Sequence, residues 1–133
     1  MTWPVGHEFA PQSYVVTRAD LVRYAGASGD FNPIHWSDRV ATSVGLPGVV
    51  AHGMFTLALA GRALTEWVGD PGRVVSFGAR FTRPVAVPDD ESGTSVQVAG
   101  VVTETVTDAA TVELTVVHAG QRVLGACKAV VRC

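Results

Sequence analysis

The hydrophobic pattern of this chain changes period once, and that change limits the folds it can adopt. Across residues 52–68, apolar or small side chains occupy most of a helical circumference, which predicts a long helix surrounded by protein. After residue 73, apolar and polar residues alternate, most regularly in the segments 94–107, 111–118 and 121–131. Turn residues separate these segments. We therefore predict three long strands in consecutive hairpins, an antiparallel meander against which the long helix must pack.

The first half of the chain is predicted to contain short elements joined by tight turns. Residues 14–16 favour a short strand, and Thr17 is a typical N-cap for a helix that stops at residues 28–29, a Ser-Gly pair. Ser37 can cap a second short helix that continues to residue 44. These short helices precede the long one, so we expect them to lie over it as a lid-like segment.

The remaining strands complete a recognisable architecture. Residues 74–82 are predicted to form a strand, and residues 84–87 are predicted to extend it. A short strand, a lid-like helical segment, a central helix and long antiparallel strands, in that order, make up the hotdog arrangement. We therefore predict an α+β fold in which an antiparallel sheet wraps around one long central helix, with residues 1–133 as a single hotdog domain.

A sheet curled around one helix leaves an edge and part of one face exposed. A partner subunit that continues the sheet would cover both, so we expect a dimer. The composition agrees, because 47% of the residues are hydrophobic and only 17% are charged, which suggests a further apolar surface covered by a partner or a lipid-like ligand.

Charge, cysteine usage and apolar run length exclude several classes. The net charge is −2 and the chain contains a single lysine, so nucleic-acid binding has little support. A basic region followed by an apolar run is absent from the N-terminus, and the apolar stretch at residues 54–60 is far too short to span a membrane. Cys127 and Cys133 would lie roughly 20 Å apart on one strand, too far for a disulfide. We expect free thiols, a cytoplasmic location, no cofactor and, in the absence of C-x-x-C or H-x-x-x-H spacing, no metal.

The segment from Tyr24 to His35, YAGASGDFNPIH, contains an acid–base pair in a turn. Asp30 and His35 are five residues apart, and on a continuous helix their side chains would diverge by roughly 140°. Ser28-Gly29 and Asn32-Pro33 favour turn geometry, in which the two side chains can converge. A carboxylate beside an imidazole can move protons at neutral pH. The alternative is an Asx-type turn with a surface histidine.

This segment resembles the signature of the MaoC-like (R)-specific enoyl hydratase/dehydratase family of single hotdog domains. A second block at residues 50–56, VAHGMFT, resembles the start of that family's central helix. More narrowly, His35-Trp36 and the turn at residues 67–72 are similar to the catalytic subunit of actinobacterial (3R)-hydroxyacyl-ACP dehydratases of type II fatty acid synthesis. In that system the catalytic subunit pairs with a hotdog subunit that lacks the motif.

The resemblance implies a (3R)-hydroxyacyl thioester dehydratase, which is also a trans-2-enoyl thioester hydratase. Asp30 and His35 would be the catalytic acid–base pair; the sequence does not distinguish which of them exchanges the Cα proton, or whether one base does both transfers. The backbone N–H of Gly53 would stabilise the enolate oxygen at a helix N-terminus. Asn32 would hold the turn or orient a polar group. His52 would orient the active-site loop, and Ser28 would close the turn.

Three other interpretations remain open from the sequence. The chain could be an (R)-specific enoyl-CoA hydratase of CoA metabolism, a non-catalytic hotdog partner subunit, or a thioesterase on the same fold. Only the resemblance favours acyl carrier protein (ACP) over CoA, and the sequence sets neither the acyl-chain length nor whether the dimer is homomeric or heteromeric. Of the remaining residues we expect His7 and His118 to be solvated. Four aromatic residues are expected to belong to the core, although any of them could instead line the acyl channel: Trp36, Phe55, Trp67 and Phe81.

Overall fold

The computed structural model describes residues 2–133. Its elements in chain order are β1 (Gln12–Val16), α1 (Arg18–Ser28), a 3₁₀ turn (Pro33–His35), α2 (Asp38–Ser43), α3 (Gly53–Val68), a second 3₁₀ turn (Pro71–Arg73), β2 (Val74–Phe81), β3 (Thr94–Val106), β4 (Ala109–His118), β5 (Gln121–Arg122) and β6 (Leu124–Arg132).

The strands form one antiparallel sheet in the order β1-β3-β4-β6-β2, with the short β5 paired to β4. Alternate residues of β3, β4 and β6 are buried, and they belong to one core cluster with buried residues of α3, among them Ala60, Ala63 and Leu64. Small side chains on the helix let the sheet approach it closely. The prediction of an antiparallel sheet wrapped around one long helix is confirmed.

Capping residues set the ends of α1 as predicted. The Thr17 side chain accepts a hydrogen bond from the Asp20 N–H, and the Asp20 carboxylate accepts one from the Thr17 N–H, which is a complete capping box. At the other end Gly29 adopts φ 76°, a left-handed conformation that glycine tolerates well. The helix therefore ends at Ser28, two residues before Asp30, so Asp30 can enter a turn.

Residues 84–87 do not extend β2, and that prediction was wrong. The N–H groups of Thr82 and Arg83 both donate to the Val123 carbonyl, and Pro84 has no N–H with which to continue the ladder. The chain turns there and pairs instead with residues 49–51, through an Ala51 N–H to Val85 carbonyl bond and a Val87 N–H to Val49 carbonyl bond. The predicted strand at residues 121–131 is likewise broken, between β5 and β6 at Val123.

The long helix is not surrounded on all sides within this single chain, contrary to the prediction. The sheet covers one side of α3, and residues four apart on the other side form an exposed stripe of Met54, Ala58, Arg62 and Glu66. The strand that follows α3 in the chain, β2, lies at an edge of the sheet, and its side chains Val75 and Phe81 are exposed. The Met54 and Ala58 end of this stripe and the β2 edge form exposed apolar surface of the kind that the composition indicated.

His7, like His118, is partly buried, so the expectation that the two would be solvated was wrong for both. His7 packs edge-on against the ring of Phe9, whereas His118 lies in the sheet. It ends β4 opposite the start of β3, and a 2.9 Å hydrogen bond joins its Nε2 to Oγ1 of Thr94. Burial lowers the pKa of His118 below the usual histidine value, because an imidazolium loses hydration there.

Stability should therefore fall in mild acid, with His118 as one cause. In the unfolded chain His118 takes up a proton near the ordinary histidine pKa, whereas in the folded chain it does so only at lower pH. The contribution of neutral His118 to the free energy of unfolding is therefore complete above the ordinary pKa and is lost as the pH falls below it. His118→Gln keeps a hydrogen-bonding group without a titrating one. The Tm loss between about pH 7.5 and pH 5.5 should be smaller in this variant, by about 2 °C. Parallel Tm curves for the two proteins would contradict this origin.

Candidate active site

The turn that contains the acid–base pair is built from side chains that bond the backbone two residues away. Ser28 Oγ accepts from the Asp30 N–H at 3.2 Å. The Oδ1 atom of Asp30 accepts from the Asn32 N–H at 3.1 Å, and that of Asn32 accepts from the Ile34 N–H at 3.2 Å. These three bonds fold residues 28–34 into successive Asx-type turns. Ser28 closes the turn and Asn32 holds it.

The turn brings Asp30 and His35 together. Oδ2 of Asp30 lies 3.9 Å from Nε2 of His35, with the carboxylate half-exposed and the imidazole buried. On its other side, Nδ1 of His35 lies 2.7 Å from the carbonyl oxygen of Val50. A carbonyl can only accept, so Nδ1 carries the hydrogen in the neutral ring. Nε2 is then a free proton acceptor that faces the carboxylate.

The segment that holds His35 is itself anchored at two points. The Val50 N–H donates to the Ile34 carbonyl, and the Val49 N–H donates to Oδ1 of Asp38 at 2.9 Å. Arg18 also donates to the Asp38 carboxylate. Both hydrogen bonds lower the pKa of Asp38 below its usual value, the one from the Val49 N–H more than the one from Arg18. The Asp38 carboxylate therefore stays charged at neutral pH.

His52 lies against both members of the pair. Its side chain is 1% exposed, its ring stacks on that of His35 with centroids 3.8 Å apart, and its Nε2 lies 3.1 Å from the Asp30 carbonyl oxygen. The ring of Tyr24, the first residue of the motif, meets His52 edge-on at 4.8 Å. Burial lowers the pKa of His52, so the ring is neutral at neutral pH.

The N-terminus of α3 opens into the same cavity as Asp30. Phe55 and Thr56 donate the first helical hydrogen bonds, to the His52 carbonyl, so the N–H of Gly53 precedes them and has no partner within the helix. A cavity of about 390 Å³ is lined by Tyr24, Ser28, Asp30, His52, Gly53, Met54 and Phe81. His35 lies beside this lining, and its Nε2 faces the Asp30 carboxylate.

Two of the four aromatic predictions were wrong. Trp36 is 55% exposed and Phe81 is 57% exposed, whereas Phe55 and Trp67 pack against the core as expected. The Phe81 ring covers Gly53 so closely that a Cβ at Gly53 would lie 3.0 Å from it. Trp36 donates its Nε1–H to the Phe31 carbonyl on the outside of the turn. Phe81 lines the cavity, which was the alternative left open for the aromatic residues. Sequence reasoning missed Tyr24 as a cavity residue, although it stands first in the motif.

Asp30, His35 and His52 each bring a potential metal-ligating atom within 4.8 Å of the others. A metal requires ligand lone pairs that converge on a point about 2 Å from each atom. The two imidazole rings are stacked 3.8 Å apart and inclined by only 22°, so their in-plane lone pairs lie in two nearly parallel planes and do not converge on one point. One nitrogen of each ring also faces a backbone carbonyl. The arrangement suits proton transfer better than metal binding.

The family of the chain follows from comparison with known proteins. Residues 3–121 match the family model described as MaoC like domain. The chain belongs to the MaoC-like family. A solved MaoC-like dehydratase superposes with a TM-score of 0.94 at 35% identity, covering 98% of this chain and 40% of that one. R-hydratase PhaJ1 from Pseudomonas aeruginosa superposes with a TM-score of 0.81 at 27% identity, covering 98% of this chain and 82% of that one. These likenesses confirm the predicted hotdog fold.

Among characterised MaoC-like relatives is 3-hydroxyacyl-thioester dehydratase X of Mycobacterium tuberculosis. It is 40% identical over 73 residues, which cover 55% of this chain and 25% of the relative. This chain thus spans about a quarter of that relative's length.

None of the helices within residues 2–133 has both the length and the apolar character needed to cross a membrane.

Proposed function

We propose that this chain, acting as a single hotdog domain over residues 1–133, is a (3R)-hydroxyacyl thioester dehydratase and, in reverse, an (R)-specific trans-2-enoyl thioester hydratase. The single observation that carries the proposal is the 3.9 Å separation of Oδ2 of Asp30 from Nε2 of His35. The family membership and the dehydratase names of its relatives support the same reaction class.

That separation suits two acceptors that share one oxygen atom. It is too long for a direct hydrogen bond, yet one oxygen can lie about 2.8 Å from both atoms. A water molecule held there has both hydrogens engaged and a lone pair free for C3 of an enoyl thioester. In the dehydration direction the 3-hydroxyl group of the substrate occupies the same place.

The hydrogen-bonding state of His35 supports a single-base scheme. The Val50 carbonyl keeps the hydrogen on Nδ1, so Nε2 starts as an acceptor with no proton to give. It takes one proton from water as the C3–O bond forms, and the same proton is then delivered to C2. Asp30 accepts a hydrogen bond from the second hydrogen, which stays on oxygen as part of the new 3-hydroxyl group, and its charge stabilises the transient imidazolium. The net change adds one water across the double bond.

Gly53 is the proposed donor to the thioester oxygen. Its N–H has no partner within the helix, and Gly53 lines the same cavity as Asp30. The positive end of the α3 dipole favours the enolate charge that develops there. Such a donor contributes about 3 kcal/mol in comparable oxyanion sites.

Hydration of crotonyl-CoA by the purified chain tests the proposal. We expect loss of the enoyl absorbance and a product that a (3R)-specific, but not a (3S)-specific, hydroxyacyl dehydrogenase oxidises. A thioesterase would instead release a free thiol, measured with a chromogenic reagent, while the enoyl absorbance persists. No turnover by the chain alone, with activity only beside a partner whose own residues are essential, would identify a non-catalytic subunit.

The proposed carrier is ACP, in type II fatty acid synthesis in the cytoplasm, and the support is the resemblance to actinobacterial dehydratase subunits. Comparing kcat/KM for crotonyl-ACP with that for crotonyl-CoA tests this part alone. A preference for CoA would reassign the enzyme to CoA metabolism without affecting Asp30, His35 or Gly53.

The proposed assembly is a dimer in which a second hotdog subunit covers the exposed stripe of α3 and the β2 edge. The support is that Met54 and Ala58 are exposed on a helix whose opposite side lies in the core, beside an edge strand with free backbone groups. The partner is either a second copy of this chain or a hotdog subunit without the motif.

A charge placed in the stripe should disrupt the dimer. Ala58→Glu puts a carboxylate on the stripe between Met54 and Arg62, where a docked subunit would remove its hydration. Arg62 already pairs with Glu66 and offsets that cost only in part. We expect the mass by light scattering to fall from two chains to one, while the far-ultraviolet spectrum is unchanged. Ala19→Glu, an equally exposed alanine on α1, is the matched control and should leave the dimer intact. A dimer that persists in Ala58→Glu would remove this interface.

A further inference from the structure

The geometry points to His52 as a positioning residue for the acid–base pair, an inference that rests on the proposed function. The neutral ring of His52 donates its Nε2–H to the Asp30 carbonyl and supports the face of the His35 ring, and so fixes the distance between the carboxylate and Nε2 of His35. His52 itself exchanges no proton with the substrate in this role.

The contacts of His52 connect the two halves of the site. Nε2 of His52 lies 3.1 Å from the Asp30 carbonyl oxygen. This hydrogen bond holds the backbone from which the Asp30 carboxylate projects. The stack on His35 limits rotation of a ring whose other constraint is the Val50 carbonyl. Each catalytic group thus has one further support, and both supports come from one side chain.

The position of His52 in the chain adds a third connection. It is the residue before Gly53 and the N-cap of α3, and its own carbonyl accepts the first helical N–H groups. Displacement of the His52 ring would therefore also move the N–H that is proposed to hold the thioester oxygen. The ring of Tyr24 also packs edge-on against the His52 ring and restricts its movement.

The surroundings require a neutral ring. Nδ1 of His52 is buried and has no hydrogen-bond partner, so a proton there would be a buried charge beside His35. The titratable groups that face the ring are Asp30 and His35 from the turn and Tyr24 from α1. Burial lowers the pKa of His52, in agreement with this state.

Three variants separate the two contacts. His52→Ala removes both, His52→Gln keeps an N–H donor, and His52→Phe keeps a ring. We expect kcat for crotonyl-CoA to fall about 100-fold in His52→Ala. In His52→Gln and in His52→Phe, kcat should fall only about tenfold below the wild-type value, because each keeps one of the two contacts. KM should change little, because His52 does not bind the acyl chain. Three variants within twofold of the wild-type kcat would overturn the inference.

A coupling test distinguishes positioning from a general structural effect. In a His35→Gln background, His52→Gln should cost little further activity, because it keeps the donor to the Asp30 carbonyl and removes only the stack on a ring that is already gone. An equal further loss in that background would contradict the inference. His7→Phe is the matched control, since His7 also packs edge-on against an aromatic ring, that of Phe9, and it should retain full activity.

Nitrogen NMR of the imidazoles tests the contact without reference to activity. We expect opposite tautomers in the wild type, Nδ1–H for His35 and Nε2–H for His52. A Nδ1–H tautomer at His52 would exclude donation to the Asp30 carbonyl and overturn the inference even if the enzyme is active. Failure of the proposed function would appear instead as an inactive wild type.

Discussion

Replacing His35 by Gln is expected to lower kcat for enoyl thioester hydration by about 10³-fold, because the amide cannot take the proton of the attacking water. Asp30→Asn should lower it by a similar factor, since the amide no longer stabilises the imidazolium that forms beside it. Steady-state rates with crotonyl-CoA measure both losses. The two changes together should cost little more than either alone, because the groups act on one oxygen.

Two controls accompany these variants. Asp89→Asn changes an exposed carboxylate in the turn before β3 and should keep the wild-type rate. The Tm of Asp30→Asn should stay close to that of the wild type, because Asp30 is half-exposed. His35→Gln loses the bond to the Val50 carbonyl, since a Gln amide reproduces Nε2 and not Nδ1 of an imidazole, and its free energy of unfolding should fall by about 1–2 kcal/mol. Wild-type rates in Asp30→Asn and His35→Gln would remove the proposed mechanism altogether.

Gly93→Ala is expected to cause the largest loss of stability among single methyl additions. Gly93 adopts φ +66°, and a Cβ there would lie 2.2 Å from the Val16 carbonyl oxygen, a backbone atom that cannot move aside. The free energy of unfolding should fall by about 3 kcal/mol or more. Thermal melting should show a Tm lower by about 10 °C.

The matched control separates the contact from the backbone conformation. Gly120 has a similar φ of +75° in the turn after β4, with nothing within 4 Å of a new Cβ. Gly120→Ala should therefore cost only the left-handed conformation of an L-residue, about 1 kcal/mol. Equal losses in the two variants would mean that the chain between β1 and β3 adjusts freely around Gly93.

Features fixed by local chemistry were predictable from the sequence. Thr17 and Asp20 have the residue types and spacing of a capping box, and Gly29 and Gly69 end their helices because they accept the left-handed conformation. The meander of β3, β4 and β6 followed from a period of two that persists over long runs. The convergence of Asp30 and His35 followed from turn-forming residues on both sides of the carboxylate.

Features that depend on distant partners were not predictable in the same way. Residues 84–87 alternate like a strand, and only the fold shows that the ladder ends where two N–H groups meet the Val123 carbonyl. Trp36 and Phe81 have core-type side chains, yet both are exposed; Trp36 follows the turn, and Phe81 lies at the end of an edge strand, where it lines the cavity. The stack of His52 on His35 joins residues 17 positions apart in sequence, and no local pattern encodes it.

Met54 belongs to two surfaces at once. It lines the cavity beside Asp30 and also begins the exposed stripe of α3, with 56% of its area open in the single chain. A subunit that binds to this side of α3 would therefore complete one wall of the cavity. Both subunits would then determine whether short or long acyl groups are accepted. Replacing the second subunit during evolution would change that chain-length preference without altering the residues that transfer protons.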